Sequence, residues 1–183
     1  MKKAVLLGDS IRQIGYGTLV PALLCDEFEV WQPDDNCRFA QYLLRGLFDW
    51  RARMEGADVV HFNVGHWDLC DLFGDGPFTP IDEYAGTVFR IARILLSRCP
   101  NVIFATTCPV RPENRYNRNE TIDAFNAAVV PTLTRMGVII NDLHAAASDV
   151  ERCIRADDCI HLTEEGIRLC AKQTAAVIRA AVK

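Results

Sequence analysis

Two short polar segments near opposite ends of the chain carry residue types that could act together on an acyl group. Gly8-Asp9-Ser10 follows the apolar run Ala4–Leu7, and Asp158-Cys159-Ile160-His161 lies near the carboxyl end. A serine hydroxyl becomes a nucleophile once a neighbouring imidazole takes its proton, and a carboxylate three residues before a histidine can orient its ring. The pair of segments predicts a serine hydrolase with Ser10 as nucleophile, His161 as general base and Asp158 as the orienting group.

The identity, order and wide separation of the two segments resemble the SGNH (GDSL-type) hydrolase superfamily. Its first motif is Gly-Asp-Ser near the amino end and its last is Asp-x-x-His near the carboxyl end, so the likeness spans nearly the whole chain. The resemblance implies a compact parallel-sheet esterase acting on small acyl esters, often acetyl groups on sugars, through an acyl-enzyme. Its spacing also favours Asp158 over the adjacent Asp157 as the orienting carboxylate.

The resemblance further implies donors for the negative oxygen of the tetrahedral intermediate. In the family these are the backbone N–H of the nucleophile, a glycine N–H in a second block and an asparagine side chain in a third. Here the first is Ser10, and the second block is Asn36-Cys37-Arg38, with Cys37 where glycine is expected. Cys37 is therefore predicted to donate its backbone N–H.

The third block departs from the family pattern, because Trp67 occupies the asparagine position in Gly65-His66-Trp67-Asp68. Two replacements for the missing amide are open. Asn63 lies on the same face of the strand as Gly65 by period-2 alternation, and the indole N–H of Trp67 is a second possible donor. We favour Asn63, and expect Trp67 to form a wall of the pocket.

Further residues are candidates for binding. Asp9, Trp67 and Arg111 are predicted to contact the substrate, with Arg111 on a polar loop that could bind sugar hydroxyls or a carboxylate. His61 and His66 lie in one segment, but no third ligand has metal-type spacing. The sequence therefore predicts neither a metal nor another cofactor.

The elements that must position these residues alternate between apolar runs and helical patterns, which is typical of a parallel sheet with helices on both faces. The predicted strands are Lys3–Leu7, Glu27–Trp31, Asp58–Val64, Val102–Thr106 and Val138–Ile140. The predicted helices are Thr18–Leu24, Phe39–Met54, Ile81–Arg98, Thr121–Met136 and Glu164–Val182. They suggest a three-layer α/β/α sandwich forming a single domain over residues 1–183, and the resemblance implies the flavodoxin-like strand order 2-1-3-4-5.

Composition narrows the function classes. The net charge is −4 and the 20 basic residues are scattered, so nucleic-acid binding has no support. No stretch approaches the roughly 18 apolar residues of a membrane span. The start of the chain is too short for a signal peptide, and the eight cysteines lack metal-type clustering, so we expect a cytoplasmic protein with free thiols. No residue pattern decides the oligomeric state.

Other interpretations stay open at the level of sequence. A thioesterase or lysophospholipase-type hydrolase would use the same residues, and a catalytically idle relative could bind glycans or a protein partner. A phosphorylated receiver domain shares the strand order, but it needs a lysine after the last strand, and residues 138–144 contain none.

Overall fold

A computed structural model describes residues 1–182, in which five parallel strands form one sheet with helices against both faces. The strands are β1 Lys2–Leu7, β2 Phe28–Trp31, β3 Val59–Phe62, β4 Asn101–Ala105 and β5 Ile139–Asn141. The helices are α1 Val20–Leu24, α2 Ala40–Asp49, α3 Arg51–Met54, α4 His66–Leu69, α5 Ile81–Leu96, α6 Asn119–Arg135, α7 Leu143–Ala146, α8 Val150–Cys153 and α9 Glu164–Ala181.

The strand order is β2-β1-β3-β4-β5, and every pair is parallel, so the predicted topology is confirmed. Alternation along β1 divides the core into two layers. Val5 and Leu7 pack with α2, α5 and α6 on one face, whereas Ala4 and Leu6 pack with α1 and α9 on the other. The three-layer α/β/α architecture is therefore also confirmed. Strand order reverses at β1, which places a crevice beyond its carboxyl end.

All five predicted helices have different bounds in the structure, four of them by at most two residues at either end. The segment predicted as one helix over 39–54 is split into α2 and α3 at Trp50, whose backbone leaves helical geometry at φ −96° and ψ 8°. The Trp50 ring folds back over Gly46, 2.3 Å from where a Cβ on that glycine would lie. Helix α1 begins at Val20 rather than Thr18, with Pro21 in its first turn, where proline fits.

Five short helical segments lie wholly or mostly outside the predicted helices. Helices α4, α7 and α8 have four residues each, a π-helical segment spans Ile11–Gly15, and a 3₁₀ segment spans Tyr16–Thr18. None is long enough to show helical periodicity in an apolar pattern. None of the helices within residues 1–182 has the length and apolar character needed to cross a membrane.

Candidate active site

Ser10 is carried by a tightly restrained turn at the end of β1. Asp9 Oδ1 accepts the backbone N–H of Ile11 at 2.9 Å, and Ser10 leads directly into the π-helical segment. A Cβ on Gly8 would lie 2.0 Å from Asn63 Oδ1, so only glycine allows this approach of the two strand ends. The buried strand and its polar neighbours therefore decide where the serine hydroxyl lies.

The imidazole of His161 connects this serine to a carboxylate. His161 Nε2 lies 2.9 Å from Ser10 Oγ, and His161 Nδ1 lies 3.0 Å from Asp158 Oδ2. A carboxylate can only accept at Nδ1, so the neutral ring carries its proton there and offers Nε2 as an acceptor to the hydroxyl. The three side chains thus have the arrangement expected of a nucleophile, its base and the base's orienting group.

The Asp158–His161 segment is shaped by its own carboxylate. Asp158 Oδ1 accepts the N–H groups of Ile160 at 3.1 Å and His161 at 2.9 Å, and Cys159 closes the turn with φ at +62°. Partial burial raises the pKa of Asp158, but these N–H groups and the His161 ring outweigh it and leave the pKa below its usual value. Asp158 is thereby held as an anion beside the imidazole. Asp157 pairs with Arg155 instead.

Arg111 holds this segment from outside and does not take the position predicted for it. Its Nε donates to Ile154 O at 2.8 Å, and its Nη atoms donate to Glu151 Oε2 at 2.6 Å and Glu151 O at 2.9 Å. The Arg111 backbone N–H donates to Cys159 O at 3.0 Å. All three guanidinium nitrogens donate to Ile154 O or to the carboxylate and carbonyl of Glu151, so the predicted substrate contact is corrected to a clamp on the segment that carries His161.

Helix α9 begins three residues after His161 and is packed closely against α8. Thr163 Oγ1 accepts the N–H of Gly166 at 3.1 Å, which caps the helix, and Thr163 N donates to Cys153 O at 2.8 Å. A Cβ on Gly166 would lie 2.4 Å from Cys153 O. An antiparallel bridge between Ile154 and Leu162 completes the connection. The position of His161 therefore depends on contact between the two helices that flank it.

Of the predicted oxyanion donors, the backbone N–H of Cys37 already has a hydrogen-bond acceptor within the protein. Its backbone N–H donates to Gly8 O at 3.0 Å, while its Sγ accepts the Gly8 N–H at 3.2 Å. The turn occurs one residue later, at Arg38, which has φ at +48°. Cys37 is thus paired with the β1 end like a strand residue, and its N–H is unavailable for an intermediate.

Ser10 and Asn63 each keep an N–H group that could donate to the oxygen of a tetrahedral intermediate. The Ser10 N–H has no protein acceptor among the described residues. Asn63 accepts the Tyr16 hydroxyl at Oδ1, 2.7 Å away, and its Nδ2 donates one N–H to Asp9 Oδ1 at 2.7 Å. Because an amide nitrogen carries two protons, one N–H of Asn63 remains.

Asp9 is enclosed in the protein and is not exposed to a substrate. Its side chain is 1% exposed, and Oδ2 is buried without a protein partner in the described structure. Burial raises the pKa of Asp9 to about 6, against the opposing effects of the Asn63 amide, the Ile11 N–H and the positive charge of Arg12. The predicted substrate contact is therefore corrected to a buried support for the Ser10 turn.

The third sequence block has a structural role behind the site. Asp68 accepts the N–H of Ala40 with both oxygens, at 3.0 and 3.2 Å, and so caps α2 from another element. Burial raises the pKa of Asp68 to about 7 and lowers the pKa of His66 to about 3. Trp67 is 42% exposed on α4 and is not among the residues that line the cleft beside Ser10 and His161, so its role as a pocket wall stays a prediction. No group of three or more metal-ligating side chains occurs within residues 1–182.

A cleft of about 380 Å³ opens beside Ser10 and His161. Its wall is mostly apolar and includes Ile14, Leu162 and Ile167. Larger cavities of about 680 and 500 Å³ lie against α2, α3 and α5, and neither is lined by Ser10, Asp158 or His161. The space next to Ser10 is therefore an apolar cleft with room for an acyl group.

The chain is similar in structure to several esterases. An acetyl xylan esterase, AlAXEase, shares 20% identity with a TM-score of 0.80, over 96% of this chain and 99% of that one. A lipase/acylhydrolase from Enterococcus faecalis shares 19% identity with a TM-score of 0.82, over 100% and 98%. Axe2, an acetylxylan esterase from Geobacillus stearothermophilus, shares 17% identity with a TM-score of 0.78, over 97% and 94%.

No protein-family model and no curated protein matches the sequence. The likeness to the esterases is therefore one of architecture, spread over nearly the full length of each chain at 20% identity or less. The chain has the fold of these hydrolases, as the SGNH resemblance implied.

Proposed function

We propose that the protein is a serine hydrolase of short-chain acyl esters, with Ser10, His161 and Asp158 as its catalytic triad. The observation that carries the proposal is the continuous contact from Asp158 Oδ2 to His161 Nδ1, at 3.0 Å, and from His161 Nε2 to Ser10 Oγ, at 2.9 Å. Two solved structures of Axe2, which has the same fold, are of catalytic mutants in which a histidine or a serine is replaced by alanine.

The reaction follows from these contacts. Ser10 Oγ attacks the ester carbonyl carbon while His161 Nε2 takes the hydroxyl proton, and Asp158 stabilises the imidazolium. The intermediate's oxygen receives the Ser10 N–H and the remaining N–H of Asn63. Collapse breaks the ester C–O bond, and the alcohol leaves with the proton from His161. Water, deprotonated by the same imidazole, then hydrolyses the acyl-serine and restores the enzyme.

The proposed substrate is a small ester, with acetylated carbohydrate as the leading class. Two of the structural neighbours are acetyl xylan esterases, and the mostly apolar cleft beside Ser10 has room for an acyl group. We place the reaction in a reducing cytoplasm because all eight cysteines are free thiols, including the partly exposed Cys159.

Turnover of p-nitrophenyl acetate by the wild type and by Ser10→Ala tests the proposal. Ser97→Ala is a matched control, since Ser97 is an exposed serine at the end of α5, bonded to Ile94 O. We expect Ser10→Ala to abolish turnover and labelling by a fluorophosphonate, and Ser97→Ala to retain both. Equal background rates in wild type and Ser10→Ala would reject the hydrolase and favour an idle binding protein.

A series of p-nitrophenyl esters from acetate to octanoate, with acetyl-CoA alongside, tests the acyl group. We expect kcat/KM to be highest for the acetate ester and to fall with chain length, because the structural neighbours include acetyl xylan esterases. A maximum at octanoate would instead indicate a lysophospholipase-type enzyme, and preference for acetyl-CoA would indicate a thioesterase.

A further inference from the structure

Behind the active site, polar side chains form an unbroken hydrogen-bonded chain through the core layer beneath α9. Its members are Gln173, Asn141, His61, Tyr16, Asn63 and Asp9. All except Gln173 are buried. Buried polar groups need partners, and a chain of neutral groups can satisfy them only if its donors and acceptors are arranged consistently.

The direction of the chain is decided at its α9 end by a backbone carbonyl. Gln173 Nε2 donates to Asp142 O at 2.8 Å, and a carbonyl can only accept, so the amide nitrogen must lie on this side. The same nitrogen then donates to Asn141 Oδ1 at 2.9 Å. Asn141 must therefore turn Nδ2 towards Thr174 Oγ1 and His61 Nε2, each 3.0 Å away.

The bond from Asn141 decides which nitrogen of His61 carries the proton. Because Nε2 accepts from Asn141, the neutral ring must carry its proton on Nδ1. Burial lowers the pKa of His61 to about 3, so the ring is neutral at ordinary pH. Nδ1 lies 3.4 Å from Tyr16 Oη, which accepts from that N–H and donates its own proton to Asn63 Oδ1 at 2.7 Å.

The far end is decided by a carboxylate. Since Asn63 Oδ1 accepts from Tyr16, Nδ2 faces Asp9 Oδ1 at 2.7 Å, and Asp9 supplies only acceptors there. The same Asp9 oxygen accepts the N–H of Ile11, which closes the turn that presents Ser10. In each of the five bonds that link these six residues, the donor thus lies on the α9 side and the acceptor on the Ser10 side.

We propose that Asn141, His61 and Tyr16 are positioning residues that act through Asn63 and Asp9 on the nucleophile turn. Their aligned bonds hold the Asn63 amide in one orientation, with its second N–H available to the developing oxyanion, and hold the carboxylate that shapes the Ser10 turn. The role in turnover rests on the proposed hydrolase function, whereas the direction of the bonds does not. The chain also ties α9, which begins just after His161, to the other half of the site.

The protonation of His61 is a direct test that needs no substrate. Two-dimensional ¹H–¹⁵N NMR of imidazole-labelled protein at pH 7 should show His61 as the neutral tautomer with the proton on Nδ1. Assignment uses a His61→Gln variant, in which that signal disappears. An Nε2–H tautomer, or a charged ring, would contradict the proposed direction of the hydrogen bonds, whether or not the protein hydrolyses esters.

Tyr16→Phe tests the effect on chemistry, with Tyr84→Phe as the matched control. Tyr84 is equally buried, but its hydroxyl donates to Val64 O, which also accepts from Thr107. We expect Tyr16→Phe to lower kcat about 10-fold at unchanged KM, the size of one lost neutral hydrogen bond, and Tyr84→Phe to leave kcat unchanged. Equal kcat values in both variants would overturn the positioning role.

The two proposals fail in different ways. If the wild type and Ser10→Ala hydrolyse p-nitrophenyl acetate at the same background rate, the hydrolase proposal fails. The tautomer of His61 still tests the direction of the hydrogen bonds. If Tyr16→Phe does not fold, the tautomer again decides. In an active wild type, the rate at which a fluorophosphonate labels Ser10 gives a second readout, which should fall in Tyr16→Phe and not in Tyr84→Phe.

Discussion

The two halves of the candidate site are held in different ways. The Ser10 half is part of the core, with Asp9 buried and bonded to an amide from the neighbouring strand. In the other half, the side chains of His161 and Asp158 are 27% and 32% exposed, and a turn and a surface clamp hold them. Substitutions in the first half should therefore affect folding and activity together, while those in the second should slow catalysis in an intact fold.

The largest expected effect is that of His161→Ala. Removing the base leaves Ser10 without a proton acceptor, so kcat/KM for p-nitrophenyl acetate should fall at least about 10⁴-fold. Because the side chain is partly exposed, the thermal midpoint should change little. A loss of secondary structure in the circular dichroism spectrum would contradict the contrast between the two halves.

Asp158→Asn is expected to be next in size. The amide oxygen of the new side chain can still accept the N–H groups of Ile160 and His161, but its nitrogen would face His161 Nδ1 and favour the wrong tautomer. We expect kcat to fall about 10³-fold with an unchanged fold. Asp157→Asn is the control, since that carboxylate pairs with Arg155, and it should stay near wild-type activity.

In the Ser10 half, the buried Asp9 should make the free energy of unfolding depend on pH. Burial raises the Asp9 pKa from 3.8 to about 6, so the native state binds this proton more tightly than the unfolded chain. The resulting stabilisation is present below about pH 4 and is lost as the pH rises through about 6. Relative to Asp9→Asn, the wild type should lose roughly 2 kcal/mol of unfolding free energy between about pH 4 and pH 7.

Urea unfolding of both proteins at the two pH values measures this difference. Asp68, whose pKa burial also raises, is present in both proteins, so its contribution largely cancels in the comparison. Parallel stability curves would show that Asp9 titrates as it does in the unfolded chain, and would remove one distinction between the halves.

Arg111→Lys is expected to have the smallest effect. Lysine keeps the charge but cannot bond Ile154 O and Glu151 together, so the segment carrying His161 should loosen. We expect kcat/KM to fall about 10-fold through misplacement of the imidazole. Arg115→Lys, on the exposed part of the same loop, is the control, and an equal loss there would deny a specific clamp.

Much of the fold could be predicted from local pattern. The apolar run of β1 and the strands after it were identified to within two residues at each end, because buried parallel strands are short, continuous apolar runs between turns. The division of the 39–54 helix at Trp50 could not be predicted from the sequence, since it accompanies the folding of one ring over Gly46. Four-residue helices such as α8 carry too little periodicity to be detected.

The site was predictable only where residue type and chain order carry the signal. Ser10, His161 and Asp158 stand in recognisable motifs, and the structure brings their side chains within bonding distance. The role of Arg111 was mistaken, because a polar loop residue looks the same whether it bonds backbone or substrate. The hydrogen-bonded connection between Tyr16 and His61 was not predicted, since it runs between elements and leaves no spacing in the sequence.

The close approach at Gly166 has a consequence for any attempt to change this protein. With only 2.4 Å between a would-be Cβ and Cys153 O, a single added methyl group would force two backbones apart. Alanine, usually the mildest replacement in a helix, would here overlap the Cys153 backbone, so the first turn of α9 or the end of α8 would have to shift. No side chain fits at position 166 without a backbone shift, although this residue lies outside the proposed catalytic contacts.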